Sequence, residues 1–301
     1  MLKFFARVIV MVAVALLALR IADRAARRAD PLPDVPQPNG YDALLGAARK
    51  VTVPSGDLAD LNADMIRQLA ETNRPWVDEL EGALKVNTGV PLKLGRGWAD
   101  QHDEDVKKLK RFAVALSIQS RSELLKGNTN RSASFLLDMI LLGQSMARGG
   151  IVSDATSAML VETIGTASLR AQTPHLDADF CRQAAQALER SEALRESPER
   201  IVKTQADWAA ANFGLISWIG DRTLLRKSGA QRRAEFLSRY QEITRRTRRL
   251  MLILAARAVE LQTGKRVADP AELVPVVLKS VPLEPEKNTP MKEIPAGVND
   301  P

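Results

Sequence analysis

Two histidines, one cysteine and a few closely spaced carboxylates are the residues of this 301-residue chain best suited to chemistry. His102 stands in Gln101-His102-Asp103-Glu104-Asp105, where an imidazole and three carboxylates share about one helical turn. Such a run can offer nitrogen and oxygen ligands to a metal ion. It lacks the His-Glu-x-x-His spacing that puts two imidazoles on one helix face, and His175 has no ligand-spaced neighbours either. Acidic residues also gather in first helical turns because the macrodipole favours them there, and we read the run that way. Cys181 has only Arg182 beside it to lower its pKa, so it reads as a small buried residue and not a nucleophile. Asp78/Glu81 and Glu192/Glu196 are carboxylates at helical spacing, as acid–base pairs are. In an acidic helical body they are expected to face water. No Gly-x-Ser-x-Gly, phosphate-binding glycine loop or dinucleotide fingerprint occurs, and Gly95-Arg96-Gly97 is too short to cradle a phosphate. The sequence therefore assigns no catalytic, cofactor or metal residue.

Two groups could bind without reacting. Arg245, Arg246, Arg248 and Arg249 can contact the phosphates of nucleic acid or of anionic lipid, or pair with carboxylates of the body. Only Tyr240 interleaves these arginines, which disfavours nucleic acid. Trp208, Leu215 and Trp218, joined by Phe213, Ile216 and Ile219, can form a partner or membrane-surface patch, since tryptophan favours interfaces. Core packing is the plainer use of the same spacing. The net charge of +7 is unevenly spread. Residues 1–29 hold six basic residues and one acid, and residues 231–266 hold ten basic and three acidic, so the remainder is mildly acidic. This is not the charge plan of a uniformly basic nucleic-acid binder.

The elements that must position these residues read as helices throughout. Aromatics make up 4% of the chain, and alanine, leucine and arginine are plentiful, which suits helices better than sheets. Residues 231–263 contain no Gly or Pro, and Gly264 follows as a C-terminal cap. Phe236, Tyr240, Ile243, Thr247, Leu250, Leu254, Ala258 and Leu261 form one stripe along this segment. Its first half carries a basic outer face, while Leu252, Ala256 and Val259 make the second half apolar nearly all round, which predicts burial. Helices are also predicted over 41–50, from Asp57 to about 72, from Pro75 to about 86, and over 100–126. Two very apolar helices, 132–148 and 151–172, follow, with Gly143, Ala147, Ala158 and Gly165 allowing close approach. Asp138, Asp154 and Glu162 argue that this pair is a core hairpin and not a membrane hairpin. Helices over 177–196 and from Ser197-Pro198 to about 219 complete the body. The expected fold is all-α: an irregular bundle or short solenoid of antiparallel hairpins, without a strict internal repeat.

The N-terminus is a different kind of segment. Residues 8–19 are uninterruptedly apolar and are flanked by Lys3, Arg7, Arg20, Arg24, Arg27 and Arg28. No small-residue cleavage site follows, so residues 4–22 are expected to stay as a single-pass anchor with their flanking arginines snorkelling. A cleaved signal or a buried helix are the alternatives. The richer basic flank lies C-terminal, favouring a cytoplasmic body, whereas a short basic head usually stays inside and tilts slightly toward a periplasmic one. Pro31, Pro33, Pro36 and Pro38 then make a stiff spacer. The expected organisation is an anchor (1–29), a proline-rich linker and short helix (30–56), a helical body (57–285) and a disordered tail (286–301).

One stretch resembles a known pattern. After Gly264 come Lys265-Arg266-Val267-Ala268-Asp269-Pro270-Ala271-Glu272-Leu273-Val274-Pro275, then Val281-Pro282-Leu283-Glu284-Pro285 and Asn288-Thr289-Pro290-Met291. This resembles the C-terminal tail of pseudopilins and of uncharacterised membrane-anchored helical proteins of bacteria: a long helix, a glycine, Tyr-Pro, a Leu-Val-Pro helix and Val-Pro-x-Asp-Pro. Val267-Ala268 stands where that pattern has Tyr-Pro, and Glu284 where it has Asp. The residues before Arg7 lack the processing glycine and following glutamate of a pilin, which excludes pilin assembly. The resemblance implies a membrane-tethered helical protein of the bacterial envelope and no particular activity. Read together, the chain is expected to be an interaction or scaffold protein of the inner membrane, without a cofactor, reaching a protein partner. An envelope hydrolase with a cleft assembled only by folding, and a basic-helix protein contacting nucleic acid, are the alternatives.

Overall fold

The computed structural model describes residues 11–12, 14–22, 32–214 and 226–295. Among these the protein is all-α, with no strand and a single bridge between Leu283 and Pro290. Its helices are α1 (Gly40–Ala48), α2 (Ala63–Ala83), α3 (Arg96–Leu125), α4 (Thr129–Ala147), α5 (Val152–Gln172), α6 (Ala178–Glu192), α7 (Pro198–Phe213) and α8 (Arg226–Thr263). Side chains of Asn39, Asn62, Asp177 and Ser197 accept from the first-turn amides of α1, α2, α6 and α7. Each such cap is worth about 1 kcal/mol.

The centre is the α4–α5 hairpin. Gly149, at φ +72°, makes its turn in a conformation that glycine adopts without a steric penalty. A Cβ on Gly143 would fall 2.9 Å from the Ala158 carbonyl oxygen, and one on Gly165 would fall 3.0 Å from that of Leu136. Position 143 thus meets 158 while 165 meets 136, so the helices run antiparallel and touch backbone to backbone. Phe135, Leu136, Met139, Ile140 and Leu142 bury the rest of α4. The chain wraps this hairpin in two passes. α1, α2 and α3 stack on one side, with α3 against α4; α8 then returns against α6, α5 and α7. The bundle is irregular because α8 packs against three earlier helices, α6 above all, instead of pairing with α7 alone.

The structure revises several element boundaries. Asp57 caps only a 3₁₀ turn (Leu58–Asp60), and α2 starts afresh after Asn62. It then runs unbroken through Pro75, where a new helix is expected from the sequence. Glu71, whose carbonyl loses a helical donor to that proline, lies on the exposed face and can bond to water. The second half of α8 is buried as its pattern predicts, through Leu250, Met251, Leu252, Leu254, Ala255, Ala256 and Ala258, whereas Leu261 at the end of the predicted stripe is exposed.

Part of the tail expected to be disordered packs on the body, with Met291 buried and Ile294 against the core. After a 3₁₀ turn (Pro270–Leu273), Val274 is extended, since a residue before proline avoids the helical region. The chain then forms a strap across α6. Gln186 donates to the Val277 carbonyl at 3.3 Å, and Glu189 accepts from the Lys279 amide at 2.7 Å. A turn returns Met291 to the core, where its amide donates to the Pro282 carbonyl at 2.9 Å.

No helix among the described residues is long and apolar enough to cross a membrane. The expected anchor over residues 4–22 lies partly outside the described residues. Its described part is helical over 14–22, and Met11, Val12, Val14, Leu16, Leu17, Leu19 and Ile21 are all exposed.

Candidate functional site

A cluster of buried charges lies inside the described body, where α4, α5, α6 and α8 meet. Glu162 projects from α5 and its side chain is 1% exposed. Arg195, from the turn after α6, donates to Glu162 Oε2 at 3.2 Å and through its second terminal nitrogen to Oε1. The same guanidinium donates to Glu192 Oε1 at 2.6 Å. Gln144 of α4 bridges both carboxylates at 3.1 Å each, with its own oxygen accepting from Ser191. From α8, Thr247 donates to Glu162 at 2.7 Å and Arg248 to Glu192 at 2.9 Å. Arg248 also reaches the Leu283 carbonyl of the strap at 2.6 Å. Two carboxylates thus balance two guanidinia, and one knot ties four helices and the strap.

This chemistry is that of a fastener. Burial alone would push Arg195 down; the charges of Glu162 and Glu192 outweigh it and hold the guanidinium well above the usual arginine range. Glu162 Oε1 accepts three hydrogen bonds, from Gln144, Arg195 and Thr247. A carboxylate oxygen so occupied has no lone pair left for a further donor. Beside the knot, Arg195 sits over the Tyr240 ring, and the Tyr240 hydroxyl donates to the Glu196 carbonyl at 3.0 Å. The Glu192/Glu196 pair, expected to face water, instead turns inward: the Glu192 side chain is only 6% exposed. Arg195 and Arg248 supply the counter-charges that make this possible. Asp78, of the other pair, is exposed, and Glu81 pairs with Arg131 at 2.8 Å.

The predicted anionic-contact face is largely engaged by the protein itself. Arg245 pairs with Glu242, with Glu284 at 3.5 Å and with Glu286 at 2.6 Å. Arg246 pairs with Glu242 at 2.8 Å, and Arg248 belongs to the knot. Arg249 lines a groove beside the strap together with Arg245, Glu284 and Glu286.

A second buried pair lies at the N-terminal turn of α5. His102 Nε2 is 2.6 Å from Asp154 Oδ1, and Asp154 Oδ2 accepts from the Ile151 amide at 2.8 Å. The run expected to be an acidic first turn lies deeper in α3, which begins at Arg96, and His102 is a cross-brace from α3 to α5; among the described residues no cluster fit to hold a metal occurs. Asp105, from the same acidic run, accepts from Lys108 at 3.0 Å and Arg49 at 3.3 Å. Its neighbours Asp103 and Glu104 are exposed. Trp98 stacks on the His102 ring at 4.4 Å and 14°. An aromatic row continues outward through Trp208 at 5.5 Å and Phe213 a further 5.8 Å on. Trp208 is buried, with its N–H donating to the Lys93 carbonyl at 3.0 Å. Leu215 and Trp218, which complete the predicted patch, lie outside the described residues.

His175 is exposed in a 3₁₀ turn. Cys181 is fully buried, and that burial pushes its thiol up to about 12. The sequence carried a partial signal for both buried pairs. Asp154 and Glu162 interrupt an otherwise apolar helix, and a buried carboxylate requires a partner. It carried none for Arg195, one arginine among many in a polar turn. No family model, curated protein or solved structure matches the chain.

Proposed function

We propose that this chain is a membrane-tethered helical scaffold of the bacterial inner membrane, a rigid body that holds a protein partner near the bilayer. The observation that carries the tether is the N-terminal helix. Met11, Val14, Leu16, Leu17 and Ile21 are each more than half exposed. Contiguous apolar side chains left in water are unfavourable, and basic residues on both flanks suit a span whose ends meet headgroups. The proline linker supports the same reading, since Pro36 and Asn39 dock on the body and Pro31 and Pro33 before them suit a stiff spacer. The tail's resemblance to those of membrane-anchored bacterial proteins supports the envelope placement. A body pinned by interlocked internal ion pairs suits a scaffold, which presents a fixed surface, better than it suits a protein that closes around a substrate.

Fractionation of cells expressing the full chain tests the tether. The protein should stay with the membrane through an alkaline carbonate wash, and Leu16→Arg/Leu17→Arg should release it. Wild-type protein recovered in the soluble fraction would overturn the reading. Crosslinking in intact membranes, with the anchor retained, should capture a defined protein partner; repeated recovery of the chain alone would remove the scaffold half of the proposal.

A further inference from the structure

The linker and the aromatic row meet on one loop. Asn39 closes a two-way pair with Gly89, donating to its carbonyl at 2.9 Å and accepting from its amide at 3.0 Å. Pro36 lies so close that a Cβ on Gly89 would fall 2.8 Å from it. The linker therefore leaves the body at Gly89. Five residues further along the same loop is Leu94, 57% exposed, at most about 18 Å from that exit. The loop is fixed to α7 by Trp208 donating to the Lys93 carbonyl at 3.0 Å and by Asn212 accepting from the Gly95 amide at 2.8 Å. Phe213, 45% exposed, stands at the end of α7 against Trp208. Leu94, half-buried Trp98 and Phe213 thus make an apolar rim on the end of the body from which the tether emerges.

This rim is rigidly mounted. Trp98 stacks on His102, and His102 is locked to Asp154 in the core. The charges around it are mixed, with Lys93 and Asp100 both exposed and Asp207 paired with Lys203, so no single sign of partner charge is selected. Thirteen residues separate Pro36 from Ala22 at the end of the described N-terminal helix, and a chain of that length spans at most about 45 Å. The anchor and the rim are therefore within one tether's reach of each other. Aromatic and aliphatic side chains in a mixed polar surround are suited to the headgroup–acyl boundary of a bilayer.

We propose that Leu94, Trp98 and Phe213 form a second membrane contact, which lays this end of the body on the phospholipid surface that holds the anchor. The proposal rests on the tether reading and adds an orientation to it: the axis of α3 stands away from the bilayer, with Trp98 proximal and Leu125 distal. Between those residues the helix rises about 40 Å.

The test uses the full chain in phosphatidylcholine vesicles, with nitroxide labels on Leu94→Cys, Phe213→Cys, Leu125→Cys and Leu16→Cys, one at a time. Native Cys181 is fully buried, which keeps it out of the labelling reaction. Labels at 94 and 213 should lose collisions with a water-soluble nickel chelate and gain collisions with oxygen, relative to the label at 125, itself at an exposed leucine. Labels at 94 and 213 as water-accessible as that at 125, with the label at 16 in lipid, would overturn the contact and leave the tether intact. A water-accessible label at 16 would overturn the tether and the contact with it. Dipolar broadening between labels at 94 or at 213 would show a second copy covering the rim, and so overturn lipid as its occupant.

Discussion

Replacing Arg195 by methionine keeps most of the side chain's volume and removes its charge from a site where the arginine is 7% exposed and holds two carboxylates. Removing one partner of a buried ion pair costs about 3–5 kcal/mol, because the other charge is left uncompensated. Here two charges are left, while Gln144, Thr247 and Arg248 still hydrogen-bond to them. We expect a loss of about 4 kcal/mol, a large share of the roughly 5–15 kcal/mol that a domain has. At about 2–4 °C per kcal/mol for a body of this size, the melting temperature should drop by roughly 10 °C. Circular dichroism at 222 nm, followed through thermal and urea unfolding, measures both quantities. Glu162→Gln/Glu192→Gln placed on Arg195→Met should recover much of the loss, since the uncompensated charge is gone. Destabilisation of Arg195→Met below about 0.5 kcal/mol, the range of ordinary surface substitutions, would refute the reasoning.

Asp138 gives a test of opposite sign. Burial, with repulsion from Glu81, pushes it up to about 7, only partly offset by Arg131 and Lys85. Ionising it in the folded protein is therefore a cost absent below its unfolded value and full above pH 7, so Asp138→Asn should stabilise at pH 8, by at most about 4 kcal/mol, and do nothing at pH 4. Equal effects at both pH values in urea titrations would dismiss that account. Gly165→Ala should destabilise by about 1–3 kcal/mol, because its Cβ would press on Leu136 backbone and Ile140 across the hairpin; an unchanged urea midpoint would mean that α4 and α5 are looser than described. The strap's surface pairs should behave differently from the knot. Glu286→Ala, which frees Arg245 from a partner 53% exposed, should cost under about 1 kcal/mol and less in high salt. A larger or salt-independent loss in thermal melts would make that pair part of the core.

Much of the body was legible because its signals are local. The all-round apolar pattern of 132–148 and of the second half of α8, the helix-capping residues, and the small residues at 143, 158 and 165 each state a physical requirement that the bundle meets. What failed to read was long-range. Glu192 looks like a solvent residue until Arg195 and Arg248 are brought to it, the latter from 56 positions away. His102 reads as one residue of an acidic first helical turn until Asp154, 52 positions on, claims its ring nitrogen. Pro75 reads as a helix start because the sequence alone does not show that Glu71 faces water. The strap is hidden for a related reason. Glu284 and Glu286 straddle the expected boundary between body and tail, and only the fold sets them against Arg245.

The ionic knot also imposes an order on biosynthesis. Its first acid, Glu162, leaves the ribosome well before Thr247 and Arg248, and Leu283 comes later still. At roughly 5–20 residues per second, Glu162 waits on the order of ten seconds for its last side-chain partner. Through that interval α4 to α7 exist without the helix that closes them, exposing the apolar faces of α5 and α6 that α8 later covers. The nascent chain is therefore most exposed to aggregation and proteolysis late in translation. A truncation before α8 should be cleared by the cell instead of persisting as a smaller domain.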